Sequence, residues 1–523
     1  VNSSKTLQPM RSKTLPQQQP RRMPLLKGQP HPVRLPRQPR QLPQPNKHQQ
    51  QLPKLLQSRP LAKKQHALQH KQPNAVPNSA PTSGTFAHAH ATHPQWAMAV
   101  ALVVVQLRAQ LTQAQHRQVH GRHTALGLVY ITDHYAEHGQ ALLDMLRRDL
   151  PDVLRWVGTV GIGVVATGVE YMDEPALSVM LCDVPPDQVE VFSGLSPLAA
   201  SGTSSWGWSA SSALMHADGA APELPDLIEE LAQRTSHNVV FGGLASSRFG
   251  AVQFAFEDAV AVGAAGGASR GGMLSGGLSG VVFGPDVQVR SRVTQGCRPI
   301  YKASTVTAVD GHVVLSLGDE PALTVLLRAL GIDGTDRDQL VARLRQTLVG
   351  LESAQWVGDS DVVQAERAQS LLAKRVGLFG AQTRVRHIVG LDVARKGVVV
   401  ANRVYVGDEL QFCERHVKAA RADLVRVCAE VREEVESFQM VQSPINADMD
   451  TVQPDNSASV LTIRGAVYIS CLGRGGDHFG AANAEMQIVQ HALGDVPVVG
   501  FFAGGEIAHQ HILSYSGVLM VFS

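Results

Sequence analysis

Residues 1–95 contain no aspartate or glutamate, against fifteen Lys or Arg and sixteen of the chain's 29 prolines. A stretch with one sign of charge, scattered apolar residues and many helix-breaking prolines cannot bury a core, so it reads as a disordered tail. It also lacks interleaved aromatics, which argues against a nucleic-acid role. The chain starts at Val1, consistent with an upstream stretch included by a mistaken start site. A transit peptide also lacks acidic residues, but this glutamine and proline content fits one poorly. The rest of the chain holds 32 basic residues against all 45 acidic ones, a net of −13 that the overall +2 conceals.

Long hydrophobic runs are missing too. The longest candidate, "AMAVALVVV" from Ala97 to Val105, has nine residues, where a membrane span needs about 20. The five cysteines (Cys182, Cys297, Cys413, Cys428, Cys471) form no CxxC pair. That excludes the usual zinc and disulfide frameworks and makes a reducing cytoplasm the default. GxxxxGK[ST] is absent, and Gly473, Gly475 and Gly480 do not fit GxGxxG.

What is present from Trp96 onward alternates strands and helices. Residues 96–115 read as a helix, Leu126–Thr132 as a buried strand, Gln140–Arg148 as a helix, Arg155–Val165 as a strand entering a glycine turn, and Ala176–Leu181 as a strand. The C-terminus repeats this order. "GAVYIS" at Gly465 mirrors "GLVYIT" at Gly127, "VVGFFAGGEI" mirrors "WVGTVGIGVV", and Gly158 and Gly500 lie 342 positions apart. This predicts an internal duplication. The expected fold is therefore α/β (mixed α+β): two related halves of mixed sheets flanked by helices, the sheets facing each other.

Between the halves, Gly263–Gly280 is too glycine-rich for regular structure. Ala322–Gly331 is a helix closed by its glycine, Asp338–Leu348 a short helix, and Arg421–Phe438 an amphipathic helix. A polar stretch near Glu352–Glu366 marks a domain junction, and Gln442–Ser459 is a polar loop. The expected domains are 96–350 and 367–523.

Five segments occur in order: "VTQGCRPIYKASTVT" (Val293–Thr307), "GDEPAL" (Gly318–Leu323), "VYVGDELQF" (Val404–Phe412), "SCLGRG" (Ser470–Gly475) and "GFFAGGEI" (Gly500–Ile507). Together they resemble the FIST family, with its N-terminal and C-terminal FIST domains. The resemblance implies an intracellular sensory protein of signal transduction that binds amino acids or similar small ligands without catalysis. It allows a haem-based nitric-oxide sensor acting on a partner histidine kinase as an alternative. Tyr301, Ala508 and the shortened "ILSYSG" (Ile512–Gly517) depart from the family pattern, so the ligand pocket is expected to differ. No output domain is visible, so a separate signalling protein is expected as partner.

The site residues follow from chemistry as well as resemblance. Glycines between a strand and a helix let backbone N–H groups approach a ligand, beside the positive end of the helix. In "SCLGRGGDHFG" this makes Ser470, Cys471, Gly473 and Gly475 lining residues, Arg474 an anchor for a carboxylate, and Asn483 the cap of the next helix. Glu506 follows two glycines, including Gly504, where the first half has Val164; it is the counterpart for an ammonium group, or for Arg474 itself. Cys297 and Arg298 precede Pro299 in the "GCRPI" bend. Thr159 and Ser246, in the glycine turns "GTVGIG" and "GGLASS", are possible donors, with packing the commoner role for such turns. Cys471 or Cys297 would be the nucleophile of a cysteine-dependent enzyme, though most cysteines after a buried strand are packing residues. His134 and His138 share a helical face without a third ligand, and His88–His93 could take metal adventitiously, so no metal site is assigned. No cofactor is expected, with haem as the exception.

Overall fold

The computed structural model describes residues 86–116, 124–199, 204–205, 207–236, 239–259, 269–332, 337–353, 383–442 and 462–523. The tail assignment for 1–85, the junction at 354–366 and the polar loop at 443–459 fall outside these residues. Order begins earlier than expected, however. Ala87–Thr92 is a strand paired antiparallel with Ala176–Asp183, because its alternating alanines can pack one face of an edge strand.

The duplicated unit is present at both ends, and a third copy stands between them. In the first copy, Thr124–Thr132 runs parallel to Arg155–Gly161 and antiparallel to Ala176–Asp183, with helix Gly139–Asp149 as the crossover. The middle copy uses Ser212–Ala217, helix Leu224–Gln233, Val240–Leu244 and Leu278–Phe283 in the same order. The last uses Gly465–Cys471, helix Ala484–Leu493, Val498–Ala503 and Ser516–Phe522. One glycine marks all three. A Cβ at Gly158, Gly242 or Gly500 would lie 1.7, 1.9 or 1.9 Å from the carbonyl oxygen of Val129, Met215 or Tyr468 on the neighbouring strand.

Each copy lends a hairpin to another copy's sheet. Gly163–Ala166 of the first pairs with Val498–Ala503 of the third. Val252–Glu257 of the second pairs with Arg155–Gly161 of the first. Glu506–Ala508 of the third pairs with Val240–Leu244 of the second. The exchange is cyclic and yields three six-stranded sheets. Their inner faces meet in one core that includes Leu128, Tyr130, Leu214, Phe241, Ile469 and Phe501. Helices Trp96–His116 and Gly139–Asp149 cover the outside of the first sheet. Leu224–Gln233 covers the second, and Val417–Gln442 with Ala484–Leu493 the third.

The described residues between 297 and 415 form a separate layer. Strands Ser304–Asp310, Val313–Leu317, Gly397–Val400, Arg384–Asp392, Thr347–Glu352 and Glu409–Arg415 close into a ring around Val306, Val314, Val349, Leu351 and Phe412. Helix Ala322–Leu330 ends at Gly331 with φ 65°, as the sequence predicts. Two local expectations are corrected. Arg270–Ser275 and Leu278–Phe283 are strands within the glycine-rich stretch, held by the cross-strand partners Val252–Glu257 and Ser212–Ala217. Helix Arg337–Leu344 stops before Thr347 and Leu348, which the ring takes as strand.

Candidate functional site

The loop after Gly465–Cys471 turns through two short 3-10 segments, Leu472–Arg474 and Gly476–Phe479, before helix Ala484–Leu493. This folds Arg474 back inside, where it is 1 % exposed. Its Nε and Nη2 donate to Glu485 Oε1 at 3.0 and 2.8 Å, and Nη1 donates to the Thr294 carbonyl at 3.3 Å. The guanidinium lies over the Phe479 ring, 5.0 Å from its centroid. Glu485 also accepts from Tyr468 Oη at 2.6 Å and from Ser470 Oγ at 3.0 and 3.1 Å. The charge expected to hold a ligand is thus neutralised by Glu485, eleven positions on.

Asn483 occupies the cap position, but its left-handed backbone (φ 64°) turns the side chain away from its own helix. It accepts instead from the Glu170 backbone N–H at 2.7 Å. Glu170, from the first copy's exchanged hairpin, caps the helix by accepting from the N–H groups of Glu485 and Met486 at 3.0 and 3.1 Å. Burial, with the Glu485 charge nearby, pushes its carboxyl up to about 7.

Glu506 does not pair with Arg474. It is fully buried, and Oε2 accepts from the Ser516 N–H and Oγ at 3.1 and 2.6 Å, while Oε1 has no hydrogen-bond partner. Burial pushes it up to about 8, against the opposing pull of Ser516, Arg474 and Cys471. Burial likewise raises Cys471 to about 12. This is the reverse of what a nucleophilic thiol needs.

Three of the sequence-selected segments do converge, around Tyr515. Its backbone oxygen accepts from the Gly296 N–H at 3.2 Å, and its ring packs on buried Cys297 and Cys413. Arg415 lies over that ring at 4.7 Å and donates to the Gly473 carbonyl. Burial, Arg415 and Arg474 together lower His478 to about 4. Gly475 packs toward Met172 and Phe502, where a Cβ would displace the Met172 methyl.

The glycine turns interlock. Ser246 Oγ, in the second copy, accepts from the Ile162 N–H of the first at 3.0 Å and donates to the Phe502 carbonyl of the third. Gly504 N–H donates to the Leu244 carbonyl at 3.0 Å, and Thr159 Oγ1 to the Val252 carbonyl at 2.8 Å.

Arg298 lies elsewhere. It sits opposite Glu414 in the short ladder of Cys297–Pro299 with Glu409–Arg415, and donates to it at 2.5 Å. The pair borders a cleft of about 370 Å³, shared with Ile300, Leu330, Arg343 and Gln346. That volume suits a small metabolite. A larger open groove of about 710 Å³ runs between the two helices of the third copy, past Arg421, Arg432, Glu433 and His491. Sequence reasoning missed Glu414, Arg343, Arg415 and Glu170. Only their place in the fold makes them neighbours.

Haem would need an apolar slot beside a histidine. His216 is buried, but the Tyr130 and Phe501 rings pack against it at 5.5 and 5.9 Å. His491 borders an open groove in which Arg421, Arg432, Glu433 and Glu436 interrupt the apolar lining, so it offers no closed apolar slot. Neither fits the group. Among the described residues no three His, Cys, Asp or Glu side chains gather in a metal-holding arrangement, and no helix is long and apolar enough to cross a membrane.

Comparison with known proteins agrees with the motif order. The chain is 28% identical over 366 residues to an uncharacterized protein of Mycobacterium tuberculosis strain H37Rv, covering 67% of this chain and 78% of that one. It is 26% identical over 238 residues to an uncharacterized protein of Mycobacterium bovis, covering 45% and 49%. Family models match as a FIST N domain at residues 125–320 and a FIST C domain at 322–509, and the chain belongs to the FIST family.

Proposed function

We propose that this protein binds a small zwitterion, an amino acid or close relative, in the Arg298–Glu414 cleft and transforms nothing. FIST domains are associated with sensing in signal transduction. The observation that carries the reading is the pairing of opposite charges on one exposed ladder, with a second arginine beside it. Arg298 or Arg343 suits a carboxylate, and Glu414 suits an ammonium group. The sequence-selected anchor Arg474 becomes a positioning residue. It holds the Thr294 carbonyl, three residues before Cys297, and so sets where the ladder begins. Arg415, next to Glu414, reaches the Gly473 carbonyl, so a ligand that separates Arg298 from Glu414 acts on the loop that holds Arg474. A separate signalling protein, such as a histidine kinase, would read the change.

A thermal-shift screen of amino acids and small acids tests this. A ligand at about 100 times its dissociation constant should add roughly 2.7 kcal/mol of stability. Arg298→Ala and Glu414→Ala should each abolish the shift while leaving the unliganded melting temperature nearly unchanged, because exposed ion pairs contribute only about 0–1 kcal/mol. A ligand shift that survives both substitutions would place the site elsewhere.

A further inference from the structure

The ladder that carries Arg298 and Glu414 has a second face. Side chains alternate along a strand, so Cys297 and Cys413 point away from the cleft, toward Tyr515. Register sets Cys297 opposite Arg415 and Pro299 opposite Cys413, which makes the two cysteines diagonal neighbours on one face. Both belong to one small buried cluster, close enough that Cys297 helps to raise the Cys413 thiol. Both are buried, at 1 and 0 % exposed, among Leu348, Val385 and Tyr515.

We propose that Cys297 and Cys413 form a reversible thiol modification site, closing to a disulfide when the protein meets a peroxide. One sulfur attacks a peroxide oxygen, giving a sulfenic acid and water. The other thiol then displaces a second water and forms the S–S bond. Two S–H bonds are lost and the peroxide O–O bond is reduced, so atoms and electrons balance. The ladder can yield to the closer approach because it has only three residue pairs, and Pro299 at its end has no N–H to give up. Burial and the contact with Cys297 hold Cys413 well above the usual thiol range, so the site responds to sustained rather than trace oxidant. Cys182 and Cys428 lie in other apolar clusters, whereas Cys297 and Cys413 share one. The inference does not depend on what the cleft binds.

The test treats the full chain with hydrogen peroxide, unfolds it, and alkylates the remaining thiols before peptide mapping. The expected product is lighter by two hydrogens, keeps three of the five cysteines alkylatable, contains a Cys297–Cys413 linked peptide, and reverts with dithiothreitol. Cys413→Ala should abolish the two-hydrogen loss, and Cys471→Ala should not. A linkage through Cys471, sulfinic acids on single cysteines with no linkage, or no two-hydrogen loss at any peroxide level that preserves the fold would each overturn the proposal. The map of the unmodified chain decides this even if a variant does not fold.

Discussion

A fully buried carboxyl group whose desolvation outweighs the pull of its neighbours holds its proton at neutral pH, and Glu506 is such a group. Its folded pKa of about 8 lies above its unfolded value. The folded state therefore binds the extra proton, and stability falls as pH rises between the two values. Glu170, at about 7, adds the same sign over a narrower window. Glu506→Gln should flatten most of the loss in urea midpoint between pH 6.5 and pH 8.5, above the range in which the buried histidines take up protons. If the variant keeps the full wild-type slope, Glu506 is ionised throughout. The sequence singled out Glu506 and Arg474 as ligand anchors; both are buried, and their partners inside the protein were not legible. Glu485 was visible only as a first-turn acid of the next helix, because nothing in "SCLGRGGDHFG" announces that two 3-10 turns fold Arg474 back upon it.

At the level of elements, the turns matter more than the strands they join. Ser246 ties the turns of all three copies with one hydroxyl. Ser246→Ala should cost about 1–3 kcal/mol, since it strands a half-buried donor at Ile162 and a buried acceptor at Phe502. Equal melting temperatures for variant and wild type would show that water replaces the hydroxyl. The outer copies were legible because "GLVYIT" and "GAVYIS" share letters and length. The middle copy was not. Its first strand reads "SALMHA", which shares the burial pattern but no motif. Gly242 was its one available signal, and it becomes informative only once Gly158 and Gly500 are known to lie against neighbouring carbonyls. Strands such as Arg270–Ser275 escaped for a related reason: their partners, not their composition, make them strands.

For the molecule as a whole, the cyclic exchange means that no copy is complete alone. Cutting the chain at residue 321, between the two matched domains, removes Val498–Ala503 from the first copy's hairpin, Glu506–Ala508 from the second copy's sheet, and Ser516–Phe522 from Val289–Gln295. Fragments 86–321 and 322–523 should each be insoluble or unfolded when expressed apart, and should co-elute as one folded complex when expressed together. Cooperative unfolding of 86–321 by itself would show that the exchange is dispensable.

The same exchange sets a timetable for synthesis. Val165 waits for Gly500, 335 residues later in the chain, before its strand has a neighbour on that side. At a ribosomal rate of about 5–20 residues per second, that interval is roughly 20–70 s. Throughout it an apolar strand edge stands open on a growing chain, a natural substrate for chaperones that hold nascent polypeptides until the last residues emerge.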